Sequence, residues 1–168
     1  MTGGHEEARD GGARDGDADR AYQGRIDNGV HRYSLRVYFE DTDAGGVVYH
    51  ANYLRFMERA RTDMLRCFGI EQRQGLEATG AGKGNYVVGS LQIDYKRPAH
   101  LDDVITVVST VEALGAASCV IRQRIVRKNE LLTDARVTVA FVGDGGRPRR
   151  QPAAWRERFE TLLQAGME

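Results

Sequence analysis

The chain has 168 residues, enough for one domain with a buried core and too few for two domains of ordinary size. Its 24 basic and 24 acidic residues cancel, so no overall charge attracts nucleic acid or an anionic membrane. There is no transmembrane segment of roughly 18 uninterrupted apolar residues and no apolar signal sequence, so we expect a cytoplasmic protein. Cys67 and Cys119 lie in apolar contexts far apart in the sequence, which indicates two small buried thiols and not a disulfide.

The first segment, residues 1–32, is rich in glycine and in charges of both signs and contains one aromatic residue, Tyr22. Such a composition buries too little apolar surface to offset the entropy lost on ordering the chain. We therefore predict a disordered tail over residues 1–32.

A strand followed by a long helix comes next. Leu35, Val37 and Phe39 alternate with polar residues, which predicts a half-buried strand over residues 34–40 that ends before two glycines. From residue 50 to residue 68 the apolar residues recur with the period of a helix, and Gly69 follows as a stop signal. One such helix could be wrapped by a curved sheet.

The second half of the chain is mostly β-structure. After a glycine-rich stretch predicted as a flexible loop (72–85), four segments carry strand patterns: residues 86–96, 104–112, 118–127 and 132–142. Their connections are too short for crossover helices, which predicts antiparallel neighbours in sequence order. A short amphipathic helix in residues 151–168 is expected to pack on the domain or on a neighbouring subunit. We predict an α+β domain over residues 33–150, with one long helix across a twisted antiparallel sheet of about five strands.

One motif is long enough to carry a family resemblance. Residues 37–53 read VYFEDTDAGGVVYHANY, and the helix continues with Glu58-Arg59-Ala60-Arg61. This run resembles the acyl-CoA thioesterases of the hot-dog fold, in the 4-hydroxybenzoyl-CoA-thioesterase-like group and closest to its Tol–Pal-associated members. The resemblance covers about residues 33–150. Phe39 stands where close relatives often carry a second tyrosine.

The resemblance implies a catalytic acid at Asp43 and a motif histidine at His50. It also implies a homodimer whose two sheets join, often paired into a homotetramer, with active sites at the subunit interface. The substrate would be an acyl-CoA or acyl-carrier-protein thioester, and no metal or organic cofactor is implied. A Ca²⁺ loop fails on Gly45 and Asn52, which stand where acidic ligands are required.

Thioester hydrolysis requires an activated water or a nucleophile, a stabilised oxyanion and an acyl pocket. Asp43 could act as general base or as nucleophile, and the residues leave both routes open. Amides of the first helical turn near His50, around Val48 to Ala51, are expected to point outward and could bind the oxyanion. Val48, Tyr49 and the small Gly89 are candidates for contact with the acyl group.

Two other functions fit the same residues. A hot-dog enoyl-CoA hydratase or dehydratase would leave the thioester intact. A non-catalytic acyl-thioester-binding protein could instead recruit partners through residues 1–32, although this tail cannot form a helix-turn-helix and no nucleic-acid partner is expected. We expect an enzyme, a thioester hydrolase.

Overall fold

The computed structural model describes residues 23–165. The sheet contains strands β1–β6, in order Arg25–Asp27, Val30–Arg36, Asn85–Tyr95, Val104–Leu114, Ser118–Arg127 and Glu130–Val142. The helices are α1 (Asn52–Cys67), α2 (Gln72–Glu77) and α3 (Ala153–Ala165), and three single turns of 3₁₀ helix lie at Phe39–Asp41, Gly80–Gly82 and Asp144–Gly146. None of these helices is both long and apolar enough to cross a membrane.

All six strands form one antiparallel sheet in the order β1-β2-β4-β5-β6-β3. The prediction that β3 and β4 are neighbours was wrong, because β3 pairs with β6 and β4 lies between β2 and β5. The link between them is the crossover segment, residues 96–103. Three strand spacings of about 4.8 Å separate β3 from β4, and a segment of this length spans up to about 26 Å. A short link therefore crosses the end of the sheet without a helix.

The N-terminal boundary of the fold lies earlier than expected. Residues 1–22 of the predicted tail lie outside the described residues, but residues 25–27 and 30–32, predicted as disordered, belong to β1 and β2. The turn between them has left-handed backbone angles at Asn28 and Gly29, with φ of 48° and 69°. An Asn-Gly pair is a strong hairpin signal in a sequence, and it prevails over the unfavourable composition.

Two other boundaries differ from the sequence predictions. Strand β2 ends at Arg36 and not at residue 40, because the chain turns into the 3₁₀ helix at Phe39–Asp41. The predicted flexible loop over residues 72–85 contains α2 and a second 3₁₀ turn.

Helix α1 lies across the sheet, as predicted. One face of it is fully buried, with Phe56, Met57 and Ala60 packed against Ile105 and Ile125. Further along the helix, a second cluster joins α1, the sheet and α3; it contains Met64, Leu65, Val111, Ile121, Phe159 and Leu162. A single long helix wrapped by an antiparallel sheet confirms the α+β hot-dog fold.

Candidate functional site

Asp43 lies in a tight turn directly before α1. Its backbone N–H donates to the Val47 carbonyl at 2.9 Å, and its own carbonyl accepts from Gly46 N–H at 3.0 Å. Gly46 has a φ of 79°, an angle that favours glycine. The Asp43 carboxylate accepts the Gly45 N–H at 2.8 Å and is otherwise exposed. The turn therefore presents a carboxylate to solvent.

The start of α1 has no side-chain cap. Ala51 occupies the N-cap position with helical backbone angles, and its methyl group cannot accept a hydrogen bond. Two amides expected to be available are occupied, since Val48 N–H donates to Ala99 and Tyr49 N–H to Asp41, both at 2.9 Å. The amides of His50 and Ala51 have no hydrogen-bond acceptor among residues 23–165. These two N–H groups are among the donors that the helix start offers to a ligand.

The imidazole of His50 lies at the edge of an open cavity of about 290 Å³. Around it are aromatic rings: Tyr49 at 4.5 Å and Tyr95 at 6.4 Å between ring centroids. The remaining lining residues are Val48, Tyr53, Lys96, Arg97 and Pro98. The cavity is thus formed by the helix start, the end of β3 and the crossover segment.

The structure brings together some of the predicted site residues and not others. Val48 is buried beneath the cavity, and Tyr49 is exposed beside His50. No hydrogen bond joins Asp43 to His50 within the described part of the chain. Gly89 lies on the exposed edge strand β3, at an irregularity in its pairing with β6, and does not line the cavity at His50. The catalytic and acyl-binding roles of these residues stay predictions.

Sequence reasoning missed three residues that shape this site. Asn52, the first residue of α1, is buried and donates from its side chain to the Asp41 carbonyl at 2.9 Å. The Tyr53 hydroxyl accepts the Ala99 N–H at 2.9 Å. Tyr95 donates to the His50 carbonyl at 3.0 Å. Tyr53 and Tyr95 depend on the crossover segment and on the course of β3, which local sequence patterns do not reveal. For Asn52 the sequence contains a weak indication, because asparagine is unfavourable inside a helix and its presence there suggests a specific contact.

A second polar cluster lies away from the Asp43 turn and links β2 to α1. The Asp63 carboxylate accepts from Gly24 N–H at 2.9 Å and lies 2.7 Å from His31 Nε2. Burial lowers the pKa of His31, and the neighbouring Asp63 carboxylate opposes this shift. Burial is also the main cause that raises the pKa of the Cys67 thiol to about 11.

Cys67 is exposed, so the prediction of a buried thiol was wrong for this residue, and with so high a pKa its thiol is protonated at neutral pH. In a tetrahedral site, an ion bonded to both His31 and Asp63 at about 2.1 Å would hold their ligand atoms about 3.4 Å apart. The 2.7 Å separation is that of a hydrogen bond. This cluster fastens the N-terminal hairpin to the helix.

Comparison with known proteins identifies the family. Residues 45–133 match the model of the thioesterase superfamily. The acyl-CoA thioesterase YbgC of Haemophilus influenzae is 45% identical over 138 residues, which cover 82% of this chain and 96% of that protein. The chain belongs to the thioesterase superfamily. Asp43 lies two residues before the matched region, whereas His50 and all of α1 lie inside it.

Solved structures show the same family and fold. The crystal structure of a probable thioesterase from Bartonella henselae has 35% sequence identity and a TM-score of 0.69, covering 73% of this chain and 99% of that one. A 4-hydroxybenzoyl-CoA thioesterase, solved with 4-hydroxybenzoyl-CoA bound, has 23% identity and a TM-score of 0.70, covering 77% of this chain and 97% of that one. At this lower identity the second match is evidence for the fold alone.

Proposed function

We propose that this protein hydrolyses acyl-CoA thioesters to a free acid and a thiol, as the name of the Haemophilus influenzae relative describes for that protein. The observation that carries the proposal is the placement of the exposed Asp43 carboxylate one tight turn before an uncapped helix start. The turn supplies a base or nucleophile, and the helix supplies donors for an oxyanion.

In the general-base route, Asp43 removes a proton from water as the water oxygen attacks the thioester carbonyl carbon. The amides of His50 and Ala51 stabilise the negative charge that forms on the carbonyl oxygen, a contribution of about 10²–10³-fold per donor. The tetrahedral intermediate then expels the thiolate, which is a good leaving group and takes the proton that Asp43 removed from water, so that the Asp43 carboxylate is restored. General-base catalysis adds about 10²–10⁴-fold.

In the nucleophilic route, an Asp43 oxygen attacks the carbonyl carbon, the thiolate leaves and a mixed anhydride forms. Water then cleaves the anhydride and restores the carboxylate. Only the nucleophilic route transfers an oxygen atom from labelled water to the enzyme, and it does so when water attacks the Asp43 carboxyl carbon of the anhydride.

A second copy of the chain would complete the site. Strand β3 is an edge of the sheet, and Val87 and Val88 on it are 42% and 48% exposed. Exposed apolar edges of this length are normally covered. We propose a homodimer joined through β3, in which Val48 and Tyr49 of one subunit and Gly89 of the other contact the acyl group. A homotetramer, an acyl-carrier-protein substrate and a cytoplasmic location stay predictions from the sequence.

The proposal is tested by following thiol release from acyl-CoAs of graded chain length. Wild-type protein should hydrolyse part of this panel, and Asp43→Asn, which keeps the side-chain shape, should lose at least about 10²-fold in kcat. Asp144→Asn is the control, because Asp144 is another exposed carboxylate, paired with Lys83 and distant from Asp43 in the sequence. It should leave the rate unchanged. Full turnover in Asp43→Asn would refute the mechanism.

Product analysis separates hydrolysis from the other functions. A hydroxyacyl-CoA product with its thioester intact would indicate a hydratase, and binding without turnover across the panel would indicate an acyl-thioester-binding protein. Light scattering on the purified protein measures the subunit number.

A further inference from the structure

Asn52 is a buried polar residue at the join between the Asp43 turn and α1. It is the first residue of the helix and is only 8% exposed. A side-chain amide withdrawn from water costs free energy unless it is hydrogen-bonded, and asparagine is a weak helix former. Its Nδ2 donates to the backbone carbonyl of Asp41 at 2.9 Å. This hydrogen bond explains how an asparagine side chain is accommodated at a buried position of the helix.

The acceptor of that hydrogen bond is held from several sides. The Asp41 carbonyl also accepts the Tyr49 N–H at 2.9 Å, so two donors from the start of α1 converge on one oxygen atom. The Asp41 carboxylate accepts the Tyr38 N–H at 2.8 Å. Asp41 is therefore fixed both to the strand side and to the helix side, two residues before Asp43.

The rest of the turn is bonded mainly within itself. The bonds of Asp43 are to Gly45, Gly46 and Val47, all inside the turn. The antiparallel bridge between Thr42 and Val48 consists of two backbone bonds, from the Tyr49 N–H to the Asp41 carbonyl and from the Asp43 N–H to the Val47 carbonyl. Among residues 23–165, the bond from Asn52 adds a side-chain contact to these backbone bonds.

We propose that Asn52 is a positioning residue, whose hydrogen bond to Asp41 sets the distance between the Asp43 carboxylate and the amides of His50 and Ala51. The inference rests on the proposed thioester hydrolysis. Loss of the bond lets the turn move relative to the helix start, and a displacement of about 1 Å at a reacting group can cost about 10²-fold in rate. Ground-state binding of the acyl-CoA depends on other contacts, so kcat should fall more than KM changes.

Two substitutions separate positioning from a structural role. Asn52→Ala removes the donor, and we expect kcat to fall about 10- to 100-fold while KM changes less than about threefold. Asn52→Asp keeps the shape, but it replaces the donor by a carboxylate oxygen that would face the Asp41 carbonyl in a buried site. It should therefore lose kcat as Asn52→Ala does, with a larger fall in Tm.

Tyr86→Phe is the matched control, because it deletes another hydrogen bond of the folded protein, from the Tyr86 hydroxyl to Gln151 at 2.8 Å. We expect it to lower Tm by a similar amount and to leave kcat unchanged. The positioning role would be refuted if the decrease in kcat followed the decrease in Tm in all three variants. It would also be refuted if both Asn52 variants kept kcat within twofold of wild type.

Hydrogen exchange of the backbone amides gives a readout that does not depend on activity. The Tyr49 N–H is bonded to the same Asp41 carbonyl, so it should exchange faster in both Asn52 variants and at the wild-type rate in Tyr86→Phe. Unchanged exchange at Tyr49 would overturn the inference. A wild-type protein without thioesterase activity would refute the proposed function, and the exchange data would then still decide whether Asn52 holds the turn.

Discussion

The hydroxyl of Tyr95 donates a hydrogen bond to the backbone carbonyl of His50, with 3.0 Å between the two oxygen atoms. Tyr95 is the last residue of β3, and its ring packs edge-to-face on Tyr53 at 5.6 Å between centroids. Tyr53 in turn accepts the Ala99 N–H of the crossover segment. Two tyrosines therefore connect the end of an edge strand and the crossover segment to His50, whose amide is a proposed oxyanion donor.

Tyr95→Phe deletes this hydrogen bond and keeps the ring. We expect a loss of about 1 kcal/mol in the free energy of unfolding and a fall of about 3- to 10-fold in kcat, because the amide and imidazole of His50 become less fixed. Steady-state kinetics and urea denaturation measure the two effects. Tyr33→Phe is the control, because it also removes a tyrosine hydroxyl and Tyr33 lies on β2, outside the lining of the cavity at His50. Equal kcat values for the two variants would contradict the prediction.

Gly89 allows a direct test of the acyl-binding prediction. A Cβ atom built on Gly89 would meet one atom within 4 Å, the Thr138 carbonyl oxygen at 3.7 Å, which is an ordinary van der Waals distance. Gly89→Val should therefore fold normally. If Gly89 contacts the acyl group of a substrate, the larger side chain shortens the longest acyl chain hydrolysed at the wild-type rate.

The measurement is the chain-length profile of kcat/KM for Gly89→Val and wild type. Gln92→Val places the same side chain at another exposed position of β3 and should keep the wild-type profile. Identical profiles for all three proteins would show that Gly89 does not contact the acyl group.

Acid should destabilise the protein through His31 before it protonates most carboxylates. Burial lowers the pKa of His31 below 6.5, so the unfolded chain binds a proton at this site that the folded chain does not. Stability contributed by the neutral ring is therefore fully present above pH 6.5 and is lost as the pH falls from 6.5 through the folded-state pKa. Each unit of pKa difference corresponds to about 1.4 kcal/mol.

Urea denaturation between about pH 5 and 7.5 measures this dependence. His31→Gln keeps a polar side chain that cannot titrate, and we expect its stability to change less over the same range. A wild-type protein that became more stable toward pH 5, relative to His31→Gln, would show that Asp63 outweighs burial and raises the pKa.

Local patterns predicted most of the secondary structure. The alternation in β4, β5 and β6 and the period of α1 come from neighbouring residues that share one buried face, so the sequence displays them directly. The first hairpin was not predicted, although Asn28-Gly29 is a strong hairpin signal. The glycine- and charge-rich composition around this pair favours disorder, and the two signals conflict. The order of the strands depends on where a short link crosses the sheet, and no local pattern encodes that path.

The candidate site was predictable to a smaller extent. Asp43 and His50 were selected from a contiguous motif, and the helix start follows from the period of α1. The contacts that hold them come from residues distant in sequence, such as Ala99 with Val48 and Tyr95 with His50. Such pairs depend on tertiary packing and can be known only from coordinates.

The path of the crossover segment restricts how this protein can diversify. Most surface links tolerate inserted residues, since each doubling of a flexible loop costs only about 0.6 kcal/mol in closure entropy. Here Ala99 bonds to both Val48 and Tyr53, so an insertion would displace the helix entrance along with the link. New substrate preferences should therefore evolve by exchange of side chains around the entrance, and lengthening of this link should be selected against.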